Sequence, residues 1–163
     1  MKKCIEFTVK KISYVVLLCM LSSFSFAQNE DFSGKWVLNS PESTLGEQFS
    51  FAPSVVTITQ DKNTLSYERV VNMMGEDRTQ TSKFTLDGKE CSNPGFRDSE
   101  VKSTANWSAD GKVLTINSKV DMGGNEMTIT EKYSKNAAGK LVIDHTMNGQ
   151  MGEMTEKWVF DKK

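Results

Sequence analysis

His145, Glu131 and Glu156 are the residues of this chain best equipped for chemistry, and His145 is its only histidine. An imidazole with two carboxylates has the donor types for proton transfer, or for holding a divalent metal. Arg69 adds a cation that can grip a carboxylate or another anionic head group through two parallel hydrogen bonds. Cys91 is a thiol, the group type of a nucleophile. Each has a quieter role as well. A lone histidine is usually a satisfied core residue, and a lone cysteine a small buried hydrophobe. Buried charges must be paired, so Arg69 has internal partners available in Glu131 or Glu156. No Ser-His-Asp arrangement is identifiable, and no spacing brings Cys91 to His145. The residues therefore point to binding rather than catalysis, with no cofactor and no metal site expected.

The elements that position these groups are strands. Apolar residues alternate along the chain after Gln28, and Thr, Val, Ile and Tyr recur in the same runs. Alternation with β-branched and aromatic residues marks half-buried strands. Ten are expected, near 34–39, 54–60, 64–72, 78–86, 89–92, 99–107, 112–120, 126–134, 140–147 and 153–160, with 89–92 the weakest signal. Side chains alternate between the two faces of a strand, so the apolar residues set the parity. Leu65 and Tyr67 carry Arg69 inward. Phe84 and Leu86 carry Ser82, Gln80 and Arg78. Val101 and Ala105 take Ser103, and Leu114 and Ile116 take Ser118. Met127, Ile129 and Tyr133 take Glu131. Leu141, Ile143 and Met147 take His145, and Met154, Trp158 and Phe160 take Glu156. If Met147 faces Met154, His145 lies opposite Glu156, with Glu131 about one diagonal step away.

The turns are of two kinds, and they alternate. Asp61-Lys62-Asn63, Asp87-Gly88-Lys89, Asp110-Gly111-Lys112 and the turn ending in Gly139-Lys140 are tight and polar. The connections around Asn72–Gly75, Asp121–Gly124 and Asn148–Gly152 carry Met and Gly. In an antiparallel meander alternate turns lie at opposite ends, so one end is charged and the other Met-rich. Met73, Met74, Met122, Met127, Met147, Met151 and Met154 all fall in or beside those three connections. Phe49, Phe51 and Phe96 are brought to the same end by longer loops. Met adapts to varied shapes, which suits a portal over a lipophilic pocket, a cap closing the barrel, or a surface for a protein partner. The hairpins also echo one another: Glu126-Met127-Thr128 with Glu131-Lys132-Tyr133 repeats as Glu153-Met154-Thr155 with Glu156-Lys157-Trp158. Such an array closes most economically as an all-β, up-and-down antiparallel barrel of about 8–10 strands, because closure removes exposed edges.

The first 27 residues read as an address. Lys2, Lys3, Lys10 and Lys11 precede an apolar run from Ile12 to Leu21, and Ser25 and Ala27 occupy −3 and −1 of a cut after Ala27. This is the pattern of a secretory signal peptide, too short to span a membrane comfortably. Cys19 follows Leu18 rather than the small residue that a lipidation signal needs. Removal of residues 1–27 leaves 28–163 as one domain with 16 basic and 20 acidic residues, a net charge of −4. Cys91 is then the remaining thiol, which excludes an internal disulfide. A mildly acidic chain with no basic stretch is an unlikely nucleic-acid binder. The expected location is periplasmic or extracellular.

Phe32-Ser33-Gly34-Lys35-Trp36 places a Gly-x-Trp at the start of the first strand. With the leader, the mature length and the all-hairpin meander, the chain resembles the calycin superfamily of lipocalins and fatty-acid-binding proteins. The resemblance covers the mature chain in architecture and Gly34 and Trp36 in motif. It implies a cup-shaped barrel whose Trp36 plugs the closed end, under a cation such as Lys162. No Thr-Asp-Tyr motif follows a middle strand. The reading is of an exported barrel that holds a small hydrophobic or amphipathic ligand among Arg69, Tyr67, Gln80, Ser82, Ser103, Glu131, His145 and Glu156, with Met73, Met122, Met127, Met147 and Met154 at its mouth. The main alternative is a structural or protein-interaction barrel with a filled core. The third is an enzyme that uses a lumenal group.

Overall fold

Alternation of buried and exposed side chains organises the whole chain into one antiparallel sheet that curls on itself. The structure, a computed structural model, describes residues 28–47, 49–73, 75–95, 99–121, 124, 126–150 and 152–163, with Met73 by its backbone alone. The leader expected at 1–27 lies outside the described residues. The strands are β1 (Gly34–Leu38), β2 (Val55–Gln60), β3 (Thr64–Met73), β4 (Glu76–Thr85), β5 (Cys91–Pro94), β6 (Glu100–Trp107), β7 (Leu114–Asp121), β8 (Glu126–Lys135), β9 (Leu141–Gly149) and β10 (Gly152–Lys162). All ten expected strands are present, including the short β5. Every sequential pair except β4 and β5 is hydrogen-bonded, and β1 also pairs with β10, which curls the sheet into a nearly closed up-and-down barrel.

The ring stops between β4 and β5, and side chains of β5 bridge the gap, Cys91 Sγ reaching the Lys83 carbonyl at 3.6 Å and Asn93 pairing with the same residue. Asn93 Oδ1 accepts the Lys83 N–H at 2.7 Å, and Asn93 Nδ2 donates to the Lys83 carbonyl at 3.0 Å. Outside the barrel, beside this seam, lies an open groove of about 440 Å³. Thr57, Thr59, Thr81 and Lys83 line it. These exposed residues alternate with buried Val56, Ile58, Ser82 and Phe84, so the groove belongs to the outer surface and not to the lumen.

The tight turns make the closed end. Asp61, Asp87, Asp110 and Asn136 each accept a hydrogen bond from the backbone N–H two residues on, at 2.7–3.1 Å. These Asx turns fix the chain reversals locally. The segment before β1 folds across this end, with Glu30 N–H bonded to the Gly111 carbonyl at 2.8 Å and Lys135 paired with Glu30 at 2.8 Å. Phe32 stacks on Trp107 at 5.8 Å. Trp36 is fully buried, donates its indole N–H to the Phe32 carbonyl at 2.8 Å, and carries Lys162 Nζ 5.4 Å from its ring centre. Gly34 sits at φ +137°, and a Cβ there would meet Lys162 Cε at 2.8 Å. The glycine thus lets the cation approach the tryptophan.

Candidate functional site

Cross-strand register places the candidate residues in one row. Glu131 of β8 is directly opposite His145 of β9, and His145 is directly opposite Glu156 of β10. The sequence expectation had Glu131 a diagonal step away. The tight turn at 136–140 pairs Lys135 with Leu141, and this sets the two residues level. On the other wall, Arg69 of β3 lies beside Gln80 of β4, and Tyr67 beside Ser82.

Arg69 reaches across the lumen. β3 and β8 are not neighbours in the sheet, yet Arg69 Nη1 and Nη2 donate to the two Glu131 oxygens at 2.7 and 2.8 Å. Nη2 also bonds to the Tyr133 hydroxyl, which donates to Glu131 Oε2 at 3.0 Å. The guanidinium lies 3.9 Å from the centre of the Tyr67 ring. Burial alone would push the Glu131 carboxyl up, but the arginine charge and the hydrogen bonds from Arg69 and His145 hold it far below the ordinary range. Arg69 is raised well above its usual value, because Glu131 outweighs its desolvation. Of the two roles open to Arg69 in the sequence, internal pairing with Glu131 is the geometry observed.

Glu156 has a different job. Its Oε1 accepts the Gly46 N–H at 2.7 Å, and its Oε2 accepts the Phe51 N–H at 3.1 Å and the Trp158 indole N–H at 3.0 Å. Burial raises this carboxyl, and those donors together with Ser50 bring it below its ordinary value. The loop between β1 and β2 is thereby tied to the inner face of β10. Thr44 adds a two-bond bridge to Lys157 on the outer parity of the same strand. Gly46 is required by this path, since a Cβ there would lie 2.2 Å from the Phe49 carbonyl oxygen. The loop brings Phe51 to within 6.4 Å of the His145 ring, and Trp158 stacks on the same ring at 4.4 Å. His145 Nδ1 faces Glu131 Oε1 at 3.3 Å.

The row separates two halves of the lumen. Below it Leu114, Tyr133, Leu141, Ile143 and Phe160 are sealed from solvent, and Leu86 and Trp107 at the far rim are half-buried. Above it Val71, Ser118, Met127, Ile129, Met147 and Met154 are half-buried, and Gln80 and Arg78 are exposed. Val120 and Ser103, the latter level with Ser118 and Ile129, are buried within that half. Ser82 is buried beside Tyr67, and Ser103 is buried and bonded to Ser118 at 2.8 Å. Phe49 stands 51% exposed at this end, edge-on to Phe51. Met74, Phe96, Met122 and Met151 lie outside the described residues, as does the Met73 side chain. The structure thus brings Arg69, Tyr67, Glu131, His145 and Glu156 together, while Ser103 pairs along a separate wall.

Cys91 is half-buried on β5, its Sγ 3.4 Å from the Ser103 carbonyl and 3.6 Å from the Lys83 carbonyl. Among the described residues no group of three His, Cys, Asp or Glu is placed to hold a metal ion. No described helix is long and apolar enough to cross a membrane. Sequence reasoning did not find Tyr133 as part of the site, and it brought the Phe49–Phe51 loop to the Met-rich end without its attachment to Glu156. The available signal was Glu156 itself, a carboxylate on an aromatic inner face that needs donors from somewhere.

No protein-family model matches the chain, and no match was found among curated protein sequences. Solved structures do match. Human cRBP IV superposes with a TM-score of 0.54 at 20% identity, over 82% of this chain and 99% of that one. The zebrafish ileal bile acid-binding protein, complexed with cholic acid, gives 0.57 at 19% identity, over 81% of this chain and 98% of that one. At these identities the likeness is one of fold: the chain adopts the calycin-type β-barrel that its Gly34-x-Trp36 start resembles.

Proposed function

We propose that this chain is an exported binding protein that holds a small hydrophobic or amphipathic molecule in the open half of its barrel. The observation that carries this is the change in burial along the inner face. The inner face around Tyr133, Ile143 and Phe160, below Glu131, His145 and Glu156, is sealed, while Met127, Ile129, Met147 and Met154 above them are half-buried. An apolar wall over a polar floor is the common form of a site for small amphiphiles. The zebrafish barrel of the same fold is named as a bile acid-binding protein and holds cholic acid, which supports the reading. The N-terminal pattern at 1–27 supports export to the periplasm or the medium. The role is passive. Glu131 is committed to Arg69, and Glu156 to backbone N–H groups and Trp158, so neither carboxylate is free to act as a base.

The rival is a filled barrel whose Met-rich end meets a protein partner. The ion pair that crosses the lumen favours it, because small barrels often fill their interior with side chains. Native mass spectrometry on protein exported by a bacterial host, followed by solvent extraction, decides between them. A bound lipophile of defined mass is expected. A clean apo mass, with no uptake from a panel of fatty acids, sterols and quinones, supports the filled barrel instead.

A further inference from the structure

The floor of the open half leaves two buried polar atoms without a hydrogen-bond partner, His145 Nε2 and Arg69 Nε. The two side chains are 6% and 7% exposed. Orphans this deep are rare and call for a reason. The chemistry of the histidine follows from its neighbour. Glu131, held ionised by the two-pronged grip of Arg69, can only accept hydrogen bonds. His145 Nδ1, 3.3 Å from Glu131 Oε1, is therefore the nitrogen that carries the hydrogen. A neutral imidazole of that tautomer presents a bare lone pair at Nε2.

Among the described residues nothing around the ring donates to that lone pair. Trp158 lies flat against it at 4.4 Å, with its indole N–H already given to Glu156. Phe51 contributes only carbon and hydrogen. The local charge is also closed to anions. Glu131 neutralises Arg69, and Glu156 adds a further negative charge one strand from His145. An ionised carboxylate has no hydrogen to give to Nε2 and no free cation to meet. An ether or ketone has no hydrogen to give either. A hydroxyl has both a hydrogen and a lone pair, so it matches the acceptor at His145 and the donor type at Arg69.

We infer that the ligand is an uncharged lipophile ending in a hydroxyl, which donates its hydrogen bond to His145 Nε2 beneath Phe51. This rests on the reading of the lumen as a ligand site and specifies the head group that it selects. Of the two rings against His145, Phe51 is the one carried on a loop rather than a strand, so it is the ring that moves aside to admit the head group.

The test uses dodecanol, dodecyl methyl ether and dodecanoate, titrated into the exported protein and followed by tryptophan fluorescence, since Trp158 reports beside the site. Dodecanol is expected to bind at least about tenfold tighter than the ether, the effect of one hydrogen bond to an otherwise unpaired buried group. His145→Leu should bring that ratio to about one. The wild-type comparison stands even if the variant does not fold, and a second measurement needs no variant. The single histidine gives one imidazole in a nitrogen NMR spectrum. Its Nε2 should have the unprotonated signature and shift on addition of dodecanol but not of the ether. Equal affinity for all three probes, a preference for dodecanoate, or a protonated Nε2 overturns the head-group inference and leaves the lumenal site standing. Failure of every probe to bind overturns the lumenal site, and the head-group inference with it.

Discussion

Asn93 closes the barrel by pairing with Lys83 through its side chain, taking the Lys83 N–H at 2.7 Å and serving its carbonyl at 3.0 Å. Both backbone groups of one β4 residue are satisfied as a neighbouring strand would satisfy them. The carboxamide is the side chain suited to this, because it carries one acceptor and one donor in the geometry of a peptide group. The barrel needs the device because β5 is only four residues long.

Asn93→Ala is expected to loosen this seam. Two hydrogen bonds at about 0.5–1.5 kcal/mol each put the loss near 1–3 kcal/mol. Urea denaturation gives the total, and amide exchange at Lys83 gives the location. An unchanged exchange rate at Lys83 would mean that the seam is held by something other than the carboxamide.

The Arg69–Glu131 pair leads to a prediction about coupling. Removing one partner leaves a buried charge without compensation, at about 3–5 kcal/mol. Arg69→Met and Glu131→Leu should each be severely destabilising, and the double variant far less so than their sum. The double-mutant cycle from denaturation midpoints measures this directly. Additive losses would show that the pair is not the unit that crosses the lumen.

Much of this architecture is legible in the sequence, because period-2 alternation and turn chemistry are local. The parity of Leu65, Tyr67 and Arg69 follows from neighbours two residues apart, and the Asx turns at Asp61, Asp87, Asp110 and Asn136 follow from single side chains. The contact between Arg69 and Glu131 is not legible in that way. It joins strands that are not sheet neighbours, and parity shows only that both point inward. The level placement of Glu131 and His145 depends on how many residues the 136–140 turn consumes, which alternation does not report. The Gly46–Phe51 path has no periodicity at all, so its attachment to Glu156 emerges only in three dimensions.

That path makes Gly46 a sensitive position. A methyl group at Gly46 would fall 2.2 Å from the Phe49 carbonyl oxygen, a backbone atom that cannot swing away. Gly46→Ala should therefore displace the loop and lengthen the Gly46 N–H bond to Glu156. The expected signs are faster amide exchange at Gly46 and Phe51, with the barrel strands unaffected. Protection at wild-type levels would mean that the loop has room to absorb the methyl group.

The pH dependence of the loop attachment separates Glu156 from the other carboxylates. Its folded carboxyl lies below the ordinary 4.5, because backbone and indole donors favour the charged form despite burial. A group depressed on folding contributes stability that is present above its unfolded value and is lost as pH falls toward the folded one. Glu156→Gln removes this contribution at neutral pH, because a neutral carboxamide has one accepting oxygen where the carboxylate had two. It also has no acid titration of its own. The difference in denaturation midpoint between wild type and Glu156→Gln should be constant at neutral pH and shrink as pH falls through and below the ordinary 4.5. Glu131 titrates in both proteins, so its large depression cancels in the comparison. A difference that holds constant across that window would mean that the Glu156 charge does not hold the loop, and that shape alone seats Phe51 against His145.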